Sequence, residues 1–192
     1  MKQELSFKQA VFIVGLMMVA FFLVIKFHGE PIKPVENIAL AEQVVSGLPI
    51  RLKIPSINID APIEQVDLAP DGSMDVPKAP PNAAWFNLGP RPGENGSAVI
   101  DGHFGWKNNI PAVFDHLNKL QKGDKIYIVD DKGVTITFVV RETRIFVEKD
   151  NTSTVFSSSD GKAHLNLITC EGIWNKVTKS YSGRLVVFAD KE

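Results

Sequence analysis

The sequence predicts an all-β domain, a closed or nearly closed β-barrel with one or two short helices, carried behind an apolar N-terminal helix. Three observations predict it. From Pro49 onward the chain is a series of short segments rich in β-branched residues, separated by turn signals. Within that region only Ala112 to Leu120 has helical spacing, with Val113, Leu117 and Leu120 on one face. Ahead of it, every residue from Ala10 to Ile25 is apolar or glycine.

That apolar run reads as a membrane-spanning signal anchor over 10–27. Phe7 and Phe27 lengthen it toward the roughly 17–25 residues a spanning helix needs, and flanking lysines reach the interface with their long stems. Lys2 and Lys8 precede the run, which keeps residues 1–9 cytoplasmic and exports the rest. A cleaved leader is the competing reading, because Ala39-Leu40-Ala41 has the small-x-small pattern of a processing site. That triplet stands far beyond the apolar run, so a retained anchor is preferred.

Residues 28–48 contain two prolines and mixed charges and read as a stalk, with a short helix possible from Val35 to Val45. The exported domain then covers 49–192. Its strand candidates are IRLKI, INI, PIEQV, SAVIDGH, KIYIV, VTITFVV, HLNLIT and GRLVVF. Turns are marked by Asp71-Gly72, Pro90 to Gly96, Lys122-Gly123-Asp124, Asp131-Lys132-Gly133 and Asp160-Gly161. Ile126 to Val129 and Val134 to Thr137, joined by Asp130 to Gly133, read as a hairpin. Many short strands with few helices point to barrel closure.

Composition narrows the function. The chain has 192 residues, 44% hydrophobic and 22% charged, enough for one domain and an appendage. Its 21 basic and 22 acidic residues leave a net charge of −1, with no basic stripe, which argues against a nucleic-acid partner. Neither H-E-x-x-H nor clustered Cys/His spacing occurs, which argues against a metal enzyme.

Cys170 is the only cysteine. An exported domain commonly pairs its cysteines as disulfides; a lone one is a small buried hydrophobe, an intermolecular link, or a reactive thiol. A free thiol is mostly protonated at neutral pH, with a pKa of about 8.5, so a nucleophile needs a base or cation nearby. Of the four histidines, His28 adjoins the membrane run, and His116 falls in the helical segment. His164 lies six extended residues before Cys170, about 20 Å away. His103 closes the strand SAVIDGH between glycine-containing segments, either projecting into a cleft or satisfied by nearby backbone. Alternation puts Leu165, Leu167 and Thr169 on one face of the strand before Cys170, and Asn166, Ile168 and Cys170 on the other. Arg184 sits amid apolar residues in the last strand, costly to bury unless its charge is used. It is either a rim arginine or a partner of Cys170.

Together these segments resemble the sortase family over about residues 49–190. The nucleophile pattern Thr-Leu-x-Thr-Cys corresponds to Asn166-Leu167-Ile168-Thr169-Cys170, with Asn166 replacing the first threonine. The strand-ending histidine corresponds to Val99-Ile100-Asp101-Gly102-His103, and the Arg-x-Val-Val pattern to Arg184-Leu185-Val186-Val187. The run Pro92 to Ser97 and the compact size are most similar to class F, with classes D and E as neighbours.

The resemblance implies a closed eight-stranded barrel and a cysteine transpeptidase with Cys170, His103 and Arg184 as catalytic residues. It further implies Thr169 as a substrate contact and surface proteins bearing a Leu-Pro-x-Thr-Gly-type sorting signal as substrates. The acceptor would be a cell-wall amine, and the setting a single-pass cell-membrane protein with an extracellular catalytic domain. No cofactor is expected; calcium on the loop carboxylates Glu148, Asp150, Asp160 and Glu171 is the one candidate. Competing functions are an exported cysteine hydrolase, either peptidase or amidase, and a non-catalytic binding module on the same barrel. Glu171, directly after Cys170, is expected to disfavour the thiolate.

Overall fold

The computed structural model describes residues 46–105 and 110–192. The apolar run at 10–27, the stalk helix at 35–45 and His28 lie outside the described residues. Among the described residues no helix is long and apolar enough to cross a membrane.

Eight strands close into a barrel: β1 (Pro49–Ile54), β2 (Ile59–Val66), β3 (Ala83–Phe86), β4 (Gly96–Gly102), β5 (Lys125–Asp130), β6 (Thr135–Val147), β7 (Ala163–Asn175) and β8 (Ser180–Lys191). Their order around the barrel is β1-β2-β3-β4-β7-β8-β6-β5, with β5 returning to β1. Pairing is antiparallel except for β2 with β3 and β4 with β7. The expected hairpin is β5–β6, with Ile128 opposite Ile136, and Gly133 supplies the positive φ of its turn.

Period-2 alternation sorts the side chains. Leu52, Ile54, Ile100, Ile126, Ile128, Phe138, Leu165, Leu167 and Val187 fill the interior. Burial of such a side chain is worth about 1.5–3 kcal/mol. A second cluster lies on the outer face, where Val99, Ile168, Val186 and Phe188 of three adjacent strands pack against Val155. Val155 belongs to α1 (Ser153–Phe156), a single turn before β7. Because β4 and β7 are covered on both faces, their burial is continuous rather than alternating through 97–100 and 163–169.

Four expectations change. Ala112 to Leu120 is not an α-helix but a set of turns ending in a 3₁₀ turn at Leu117–Lys119. The N–H groups of Asp115, Leu117, Lys119 and Leu120 bond three residues back rather than four, and Val113 and Phe114 donate to Pro80 O and His103 O. Ile57 and Asn58 form a 3₁₀ turn closed by Asn58 in the left-handed region, not part of a strand. β3, AAWF, was not among the strand candidates. Finally, β7 does not end at Cys170. It runs on to Asn175 through a register shift between Glu171 and Trp174, where Gly172 has φ +90.

Candidate active site

The outer face of β4, β7 and β8 brings the sequence-singled residues to one end of the sheet. β7 and β8 are antiparallel, and Cys170 and Arg184 are direct cross-strand partners. Both point away from the interior, since Thr169 and Leu185 between their neighbours face inward and are buried. Cys170 is partly buried and Arg184 exposed. The Arg184 guanidinium is held by its own hairpin, donating to Gly183 O at 3.0 Å and Tyr181 O at 3.5 Å.

His103 follows the last residue of β4, the strand that pairs with β7. Gly102 is required there: a Cβ would overlap the Phe114 ring and approach Val113 Cγ1 to 2.7 Å. The segment that supplies Val113 and Phe114 also fixes the backbone, with Phe114 N–H donating to His103 O at 3.1 Å. The His103 ring lies on the loop between β2 and β3, with Nε2 2.7 Å from Pro77 O. An Nε2–H donated to that carbonyl leaves Nδ1 as the ring's acceptor.

Thr169, expected as a substrate contact, lies on the inward face of β7. It is 1% exposed, and its hydroxyl donates to Gly102 O at 2.7 Å. In that position it ties β7 to the residue before His103. Asn166, the departure from the family pattern, lies on the outer face under α1 and donates from Nδ2 to Val155 O at 2.6 Å. His164 and His116 are set apart from Cys170. His164 is buried between Asp190 (2.7 Å from Nδ1) and Asp160 (3.0 Å from Nε2), and His116 is exposed.

Beside the Cys170–Arg184 pair runs a groove of about 930 Å³. Ile168, Val186 and Asp101 form its floor, Val155 and Phe156 of α1 one wall, and Phe146 and Met74 contribute apolar surface. Arg184 lines the groove; Cys170 stands next to Arg184 at its border. Burial pushes the Cys170 thiol above its ordinary value; Arg184 pulls it down, and Asp101 adds to the rise. Asp101 is thus a carboxylate that disfavours the thiolate. The signal that could have found it was already in the alternation of β4, which puts Val99, Asp101 and His103 on one face.

Three of the four loop carboxylates considered for calcium accept hydrogen bonds from protein groups, Glu171 from Gly172 N–H. Asp160 accepts from Ser158, from Lys162 N–H and from His164, and Asp150 accepts from Val147 N–H. Among the described residues no group of three or more His, Cys, Asp or Glu is arranged to hold a metal ion.

A family model described as the sortase domain matches residues 52–192. The chain belongs to the sortase family. Among solved structures, this sortase is similar to sortase A from Corynebacterium diphtheriae, with 25% identity and a TM-score of 0.59 over 77% of this chain and 61% of that one. It is also similar to sortase C-1 from Actinomyces oris, with 25% identity and a TM-score of 0.58 over 75% and 74% of the two chains. A third is the pilus-related sortase C of Group B Streptococcus, with 25% identity and a TM-score of 0.58 over 78% and 70%. The sortase thus spans less than two thirds of the Corynebacterium chain. No curated protein matches it.

Proposed function

We propose that this sortase is a cysteine transpeptidase that cleaves a Leu-Pro-x-Thr-Gly-type sorting signal between Thr and Gly and transfers the acyl group to a cell-wall amine. The observation that carries the proposal is the direct cross-strand pairing of Cys170 with Arg184 beside an apolar groove. An extended, largely apolar peptide fits such a groove.

In the first step the Cys170 sulfur attacks the Thr carbonyl carbon and its proton passes to His103. Arg184 faces the developing oxyanion and holds the substrate backbone. As the C–N bond breaks, His103 returns the proton to the glycine nitrogen, leaving a thioester on Cys170. An incoming amine then attacks the thioester carbon and gives its proton to His103, which passes it to the departing Cys170 sulfur and so restores the thiol and the neutral imidazole. Burial raises the Cys170 thiol, which favours its neutral form, and Arg184 opposes that rise. Thr169 supports the site by holding the end of β4 in place.

The proposal extends to setting and subclass. The run at 10–27 is a single-pass anchor with residues 1–9 cytoplasmic, 28–48 a stalk, and 49–192 the extracellular catalytic domain. Substrates are surface proteins carrying the sorting signal. The Pro92 to Ser97 run and the compact size support class F.

The test separates transfer from hydrolysis. The full-length chain in detergent is incubated with a Leu-Pro-x-Thr-Gly peptide and a panel of amines. Amide product exceeding hydrolysed peptide supports the proposal; cleavage that yields only the free acid with every amine moves the assignment to a cysteine hydrolase.

A further inference from the structure

The floor of the groove holds a carboxyl that the catalytic scheme above does not use. Asp101 on β4 is the register partner of Ile168 on β7, and Ile168 is the partner of Val186 on β8. All three line the groove. One same-face step further along β7 and β8 stand Cys170 and Arg184. Asp101 is therefore one strand across and two residues back from Cys170. With strands about 4.8 Å apart and a rise of about 3.3 Å per residue, that diagonal is roughly 8 Å between Cα atoms.

Two acidic groups thus share one guanidinium. Arg184 stabilises the charged form of both Asp101 and Cys170, while burial opposes the charged form of each. Burial is the larger influence on Asp101 and pushes its carboxyl up to about 7, inside the range where the protein would work. The other ionisable groups around this cluster are His103 beyond β4, Glu171 beside Cys170, and Glu148 and Tyr181 on the groove lining.

We propose that Asp101 is a positioning residue that restrains the nucleophile: its carboxylate competes with the Cys170 thiolate for Arg184 and keeps the thiol protonated. The proposal rests on the reading of Cys170 as the nucleophile, but its test needs no substrate. Because the chain has one cysteine, the rate of alkylation by iodoacetamide reports that thiol alone. The full-length protein is alkylated between about pH 5.5 and 9 as wild type, Asp101→Asn and Asp101→Glu.

At pH 6, where Asp101 is largely neutral in the wild type, Asp101→Asn reacts at nearly the wild-type rate. At pH 8 it reacts at least about threefold faster, the effect of removing a nearby like charge and freeing Arg184. Asp101→Glu follows the wild type. A ratio of Asp101→Asn to wild type that stays constant across pH, or that falls below one at pH 8, overturns the proposal; a purely structural residue would give that result.

A second measurement covers misfolding of the variant. In a His103→Gln background, which removes the imidazole beyond β4, alkylation of the Asp101 protein rises with pH less steeply than a single ionisation. A simple one-proton curve there also overturns the proposal. Loss of transpeptidation with an intact alkylation signature would refute the proposed function and leave this one standing.

Discussion

The inner and outer faces of β7 and β8 are made by the same two strands and do opposite work. Inward, Leu165, Leu167, Leu185, Val187 and Ala189 are almost wholly buried in the barrel core. Outward, Ile168, Val186 and Phe188 cover one another and α1, and toward the open end of the sheet Cys170 and Arg184 take their place. Alternation assigns every second residue to stability and the others to the groove. The lesson is that chemistry can change on one face without altering the core behind it. Polar groups on the inner face are few, and Thr169 is the one that touches the site, through the backbone of Gly102.

The comparison breaks most visibly from the inside. Leu167→Ala leaves a cavity in the barrel and is expected to cost about 2–5 kcal/mol in denaturant unfolding. The folded fraction that remains keeps wild-type activity per folded molecule. A stable Leu167→Ala protein with a defective site would show that the two faces are not separable at this point.

On the outside the expected pattern reverses. Arg184 is exposed, and among the described residues its guanidinium donates to Gly183 O and Tyr181 O of its own hairpin. Arg184→Gln is expected to lower kcat by about 100-fold, the scale of losing one oxyanion-stabilising group, with the unfolding midpoint unchanged. Loss of stability comparable to the core variant would make Arg184 a structural rim residue instead.

Thr169 sharpens the comparison because it belongs to both sides. Thr169→Val keeps the shape and removes one buried hydrogen bond, for about 1 kcal/mol of stability. Its effect on kcat should exceed its effect on KM, since the hydroxyl holds the strand leading to His103 and does not face the groove. A change confined to KM would return Thr169 to the role of a substrate contact.

The features legible in the sequence were those with local causes. The β5–β6 hairpin announced itself through its turn, and Cys170 and Arg184 through alternation in strands whose apolar faces were plain. β3 was hidden because four residues between proline-rich and polar segments carry no period, and it forms by parallel pairing with β2. The helix expected at Ala112 to Leu120 gave way to i→i−3 turns, with Leu117 bonding to Phe114 O and Lys119 to His116 O. Val113 and Phe114 donate to Pro80 O and His103 O outside the segment. β7 continued past Cys170 because Gly172 tolerates the positive φ of a bulge, and that extension brings Trp174 against Tyr181, which in turn meets Phe104 beside His103. Asp101 was in view throughout as part of SAVIDGH. Its significance depends on which strands flank β4, and a single sequence does not state that.

The central claim is that Cys170 attacks a sorting-signal carbonyl with His103 and Arg184 in support. Intact-protein mass spectrometry of the full-length chain mixed with a Leu-Pro-x-Thr-Gly peptide tests it most directly. The account predicts a mass increase equal to the peptide lacking its glycine-led fragment, located on Cys170, absent in Cys170→Ala and strongly reduced in His103→Ala and Arg184→Ala. An unmodified wild-type protein across pH and peptide concentrations, or an adduct that forms equally well in all three variants, would contradict it.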